Sequence, residues 1–242
     1  MAAGLCWTTS PGKPDEAEHP RAWHCGDGCG AAGVLSDPAA SPLADRAVLA
    51  GRRLYSGLDE LMALVAADAD RAADLLPLII ASGAGAAGRD CAVRAAVAAA
   101  RRIAAGAALS DTELAGVGAS LADRAVRDVL FTAAASDVAA EAEALWTVLA
   151  RVLPRPWRAE ALALLAVSAY VRGDASLAGT AVLAALADDP AHPMAGMLDT
   201  ALQDAVRPEE IRELLLPGGR RRQGLRRAPT RLRNSRTRAQ PT

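Results

Sequence analysis

The segment from Trp157 to Pro190 limits what this chain can fold into more than any other stretch. Leu162, Leu165, Ala166 and Ala169 recur at i, i+3, i+4 and i+7, one apolar face of a helix, and Ala178, Ala181, Val182 and Ala185 repeat the pattern after Gly173-Asp174. Two helices must therefore fold back on each other across a tight turn. Gly173 suits a turn that needs positive φ, and Pro190 ends the second helix. Ala166 and Ala178 fall where the two helices cross, and anything larger there would force them apart.

The spacing is similar to that of a tetratricopeptide repeat, with Leu165 and Ala166 at its Leu-Gly pair, Ala178, Val182 and Ala185 along its second helix and Pro190 at its end. Its aromatic is shifted to Tyr170, and Leu162 stands at its early Trp position. One repeat back, Phe131, Ala144, Val148 and Pro156 correspond, although Ala139 replaces the turn glycine. One repeat forward, Arg207 and Arg212 fall at buried positions, so the array stops there. One or two repeats leave an apolar face open and must pack on the helices before them.

Those helices are expected at Asp45 to Arg53, Leu58 to Ala67 behind a Ser56 cap, Asp70 to Ser82, Arg89 to Ala105, Leu121 to Ala134, Asp137 to Val152 and, as a terminal cap, Pro193 to Ala205. Ser110 and Glu113 stand at capping-box spacing. Only 3% of the residues are aromatic while 52% are hydrophobic, so Ala, Leu and Val must fill the core, which favours close-packed helices. The expected fold class is all-α, a helical bundle with a tetratricopeptide-like hairpin near the C-terminus. The expected organisation is a mostly irregular segment 1–42, a helical domain 43–216 with its hairpin at 157–190, and a disordered Arg-rich tail 217–242.

The net charge of −1 hides an asymmetry: residues 218–242 hold nine Arg and no acid. The tail would attract phosphate without reading sequence, which makes nucleic acid a weak possible partner; a solvated tail is the plainer reading. No signal peptide opens the sequence, four scattered Cys make no disulfide framework, and the apolar run Leu75 to Gly88 is too short for a membrane span. The expected compartment is the cytoplasm, with no membrane association.

Motifs that carry chemistry are weak. Cys25 and Cys29 with His24 and His19 bring soft ligands together, but Cys-x-x-x-Cys is looser than a zinc knuckle and no second pair follows, so no metal is assigned. His192, between Pro190 and Pro193, reads as a loop or capping residue, since no nucleophile or carboxylate pair is tied to it by spacing. Gly83, Gly85 and Gly88 imitate a dinucleotide loop, and Leu76 to Ile80 could be its strand only if a βαβ unit surrounded it. No catalytic, cofactor-binding or metal residue is assigned, and no cofactor is expected.

Leu145-Trp146, Leu149-Ala150-Arg151, Leu153-Pro154-Arg155-Pro156, Ala159-Glu160-Ala161-Leu162, Tyr170, Arg172-Gly173-Asp174 and Asp189-Pro190 together resemble the C-terminal part of an actinobacterial family, the domain of unknown function four-one-nine-two. Trp23, Cys25, Cys29, Gly33, Ser41-Pro42 and Ala47 to Gly51 resemble its middle part. Members of that family carry two adjacent Cys and a Pro where this chain has Cys29-Gly30-Ala31-Ala32-Gly33, which weakens a metal or redox role further. They also begin with an α/β region, so the resemblance implies a truncated member. It implies no activity. The function expected is a non-catalytic protein-interaction module, more a binder than an enzyme, receiving a peptide on the face of the first hairpin helix around Tyr170. The alternatives are a nucleic-acid-associated protein acting through its tail, and a remnant of a larger protein whose activity lies in a missing N-terminal region.

Overall fold

A computed structural model describes residues 7–8, 22–25, 32–34, 42–49, 53–55, 57–83 and 88–216. The chain divides into two compact units, 1–57 and 58–242. In the first, β1 (Trp7–Thr8), β2 (Ala22–Cys25) and β3 (Ala32–Val34) form an antiparallel ladder in that order, with Trp7 opposite Cys25 and Trp23 opposite Gly33. The sequence has no strand period here, and pieces of two to four residues are too short to print one. Helix α1 (Pro42–Leu49) follows in the same unit. The expected cap Ser56, Cys29, His19 and the whole Arg-rich stretch 218–242 lie outside the described residues.

The second unit is an all-α bundle. It runs α2 (Leu58–Val65), α3 (Ala69–Ser82), α4 (Arg89–Ala104), α5 (Asp111–Ser120), α6 (Arg124–Leu130), a three-ten helix Phe131–Ala135, α7 (Ala139–Val152), α8 (Trp157–Arg172), α9 (Ala175–Asp188), α10 (Pro193–Gln203) and α11 (Pro208–Leu215). Local chemistry sets most boundaries. Asp68, Asp123 and Asp174 accept backbone N–H groups at the starts of α3, α6 and α9. The capping box forms as its spacing predicts, Ser110 accepting from Glu113 N–H while Glu113 accepts from Ser110 N–H. Gly173 ends α8 in the left-handed region at φ 84°, with its own N–H and that of Asp174 closing on Tyr170 and Ala169 carbonyls.

The helix expected over Asp70 to Ser82 forms as α3, while one other expected helix needs correction. Leu76 to Ile80 lies inside α3, so the dinucleotide-loop reading loses its strand; Leu75 and Ile79, one turn apart, are the buried residues of a one-sided helix. The helix expected over Leu121 to Ala134 starts only at Arg124 and passes into the three-ten helix at Phe131, whose tighter turn buries Phe131, Ala133 and Ala134.

The hairpin α8–α9 forms where its apolar periods place it. Around it the bundle is closed on nearly every side. Thirteen of the sixteen residues of α8 are buried, and the helix packs on α7, α9, α10, α11 and the three-ten helix. Ala166 and Ala178 are wholly buried, as their place at the crossing requires. A close approach also governs α5, where a Cβ on Gly118 would lie 2.6 Å from a methyl of the buried Leu153. Among the described residues, no helix is long and apolar enough to cross a membrane.

Candidate functional site

Because α8 is enclosed, its few polar side chains have to be matched inside the protein. Arg158, near its start, is 9% exposed, and every nitrogen of its guanidinium is engaged. Nε donates to the Ala150 carbonyl at 2.8 Å, Nη2 donates to the Val65 carbonyl, and Nη1 meets Asp188, which Arg155 also holds. This arginine closes the ends of α2 and α7 and clamps α9.

Tyr170 is 5% exposed, which corrects the expectation that it fronts an open peptide-binding face. Its hydroxyl lies 2.6 Å from the Val206 carbonyl and 3.1 Å from that of Ala201, so it holds the connection from α10 to α11. Burial, together with the charge of Glu210, pushes its phenol above the ordinary tyrosine range. Ala205 in that connection sits at φ 49°, the left-handed conformation that glycine takes after α8.

His192 caps α10 as its position suggested: Nδ1 accepts the Ala195 N–H at 3.2 Å. That bond places the ring proton on Nε2, which donates to Glu160 at 3.1 Å, and Glu160 is in turn paired with Arg127 at 2.9 Å. The chain of three braces α6, α8 and α10. His24 and Cys25 are described only as backbone of β2.

The other end of α8 is different. Arg172 sets Nε and Nη2 in a fork on Glu143 of α7, both at 2.9 Å, and Nη2 also reaches Asp174 at 3.1 Å. Burial works against this charge, but the two carboxylates outweigh it and hold the guanidinium above its ordinary value. Its third nitrogen, Nη1, is buried and has no hydrogen-bond partner. One turn earlier on the same face, Ser168 is 4% exposed and its hydroxyl is also without a partner.

A helical serine or threonine ordinarily turns its hydroxyl back to the carbonyl four residues earlier. Ser82, Thr147, Thr180 and Thr200 all do so here. Ser168 does not. It borders a cleft of about 260 Å³ lined by Glu143 and two alanines of α7, Ala134 of the three-ten helix, Ser168, Val171 and Arg172 of α8, and Arg212 of α11. Arg212 is exposed and makes no ion pair among the described residues. The third buried atom without a partner, Trp146 Nε1, belongs to a residue that does not line the cleft.

A second cavity of about 190 Å³ lies among α3, α4, α5 and α6, beside the exposed Cys91. None of the buried unpartnered groups belongs to a residue lining it. No motif in the sequence marks the Ser168 cleft; its signals there are a lone hydroxyl in the apolar run Ala161–Ala169 and an arginine four residues later.

What the Ser168 cleft offers is hydrogen-bond donors fixed in a low-dielectric wall. Its one carboxylate, Glu143, has both oxygens occupied by Arg172, and no histidine or cysteine lines it. The serine therefore has no base beside it, and the arrangement suits holding an acceptor rather than attacking one.

No curated protein and no solved structure matches the chain. The family described as Domain of unknown function (DUF4192) matches residues 14–209, a span that takes in Glu143, Ser168 and Arg172 and stops short of Arg212. That match covers most of the sequence, and the chain belongs to the DUF4192 family.

Proposed function

We propose that this chain is a non-catalytic helical interaction module whose recognition centre is the Ser168–Arg172 cleft, where a hydrogen-bond acceptor presented by a partner is held. The observation that carries this reading is the pair of buried donors without acceptors, Ser168 Oγ and Arg172 Nη1, on one face of the most enclosed helix. A buried donor left unsatisfied costs about 1–3 kcal/mol, so an acceptor that meets both gains that much relative to the free protein. The tetratricopeptide-like face of α8 is not available for such a role, because it is covered by its neighbours.

The test is nuclear magnetic resonance of the full chain, titrated with acetate, phosphate and acetamide as three different acceptors. The Arg172 Nε–H and Ser168 amide signals should move saturably with at least one of the three, while signals around Cys91 stay in place. If none of the three moves them, the cleft is not a recognition site and the proposal fails.

A further inference from the structure

We infer that the acceptor is a single carboxylate, admitted to the cleft by an outward movement of the α11 wall. This rests on the binding role just proposed and narrows it to one chemistry.

Of the charged residues lining the cleft, Arg172 is matched by Glu143, with Asp174 also on it, and Arg212 is the cation that makes no ion pair among the described residues. A monoanion balances it. A phosphate dianion would overshoot, and Asp174, 3.1 Å from Arg172 Nη2, would repel its two charges more than one. A neutral amide could meet the two donors but would leave Arg212 unanswered. The two donor residues stand one helical turn apart on the same face of α8, so the two oxygens of one carboxylate can be offered one to each. The cleft of about 260 Å³ lies below the usual range for drug-sized ligands, which suits an acidic side chain or a short acid and not a nucleotide.

Both donor atoms are sheathed from solvent, so entry requires part of the wall to give way. The α7 and α8 walls are fixed by the Arg172 fork and by the burial of α8. The α11 wall is an eight-residue helix in which only Ile211 is buried. It is the wall least held, and it carries the exposed guanidinium that would meet the incoming acid and follow it in.

The experiment titrates the full chain at constant ionic strength with acetate, glutarate, an acetylated and amidated peptide bearing one Glu, phosphate and acetamide, reading the Arg172 Nε–H signal. Carboxylates should bind at least tenfold more tightly than phosphate or acetamide. Tighter binding of the peptide than of acetate assigns the carboxylate to a protein partner, and the reverse assigns it to a free acid; both support the inference. Arg212→Ala, at an exposed position, should weaken carboxylate binding roughly tenfold, and Ser168→Ala should do the same or more. Amide signals of α11 should shift with the carboxylate in the same titration. Phosphate or acetamide binding as tightly as acetate overturns the carboxylate and leaves the binding role standing. Ser168→Ala and Arg212→Ala chains that bind acetate like the unaltered one overturn the site itself, and silence with every probe defeats both readings.

Discussion

Arg158 and Arg172 sit fourteen positions apart on one helix, and their surroundings differ in whether every guanidinium nitrogen finds a partner. Arg158 has all three nitrogens engaged, two on backbone carbonyls that end α2 and α7 and one on Asp188. None of its nitrogens is left without an acceptor. Arg172 is anchored just as firmly on one side, by the Glu143 fork, yet keeps a buried nitrogen without a partner beside a hydroxyl in the same condition. Burial alone therefore does not mark a functional arginine. The unused donor is what distinguishes Arg172 from Arg158, and the proposed recognition role rests on it.

The contrast is sharpest in stability. Arg158→Met would leave Asp188, whose side chain is 3% exposed, with only the surface-facing Arg155, and would free two helix-end carbonyls. We expect a loss of about 3 kcal/mol, read from the midpoint of urea unfolding at unchanged slope. Arg172→Met, which strands Glu143, should cost less, about 2 kcal/mol, because the arginine side chain is a quarter exposed. If Arg172→Met proves the more damaging of the two, the distinction between a structural and a recognising arginine collapses.

Tyr170 lies between these ends and ties α8 to the connection that carries α11. Tyr170→Phe removes one hydrogen bond and should cost about 1 kcal/mol. It should also change the alkaline limb of the stability curve. The folded phenol titrates above its ordinary value of 10.0, so its contribution is complete below that pH and is lost as pH rises toward the folded value. Stability of the unaltered chain should thus fall above pH 10, and the Phe variant should fall less steeply over the same range; parallel curves would show that the phenol is not the group responsible.

Much of the helical body can be read from sequence because it is written in local terms. The capping box at Ser110, the left-handed turn at Gly173 and the two apolar faces of the hairpin each depend on residues within a few positions of one another. The cleft depends on α7, α8, the three-ten helix and α11 meeting, which no local spacing encodes. The same limit explains Tyr170: its position on α8 was legible, but its burial comes from α10 and α11, helices thirty residues further on. The segment around β1 to β3 is silent for a different reason, since each strand is too short for alternation to register.

The smallest change in stability should be the most informative in sign. Ser168→Ala deletes a hydroxyl that is buried, unbonded and set in a helix of alanine and leucine. Removing an unsatisfied buried group while improving helix propensity should stabilise the chain by about 0.5–1 kcal/mol. Thr180→Ala on α9, whose hydroxyl is satisfied by the Ser176 carbonyl, lacks the first of these gains and serves as the matched control. A gain at 168 that is absent at 180 would mean the chain retains a residue its fold is better without, which is the mark of a side chain kept for binding. A loss at 168 would show that the hydroxyl is satisfied in solution, and Ser168 would then belong with Arg158 as part of the scaffold.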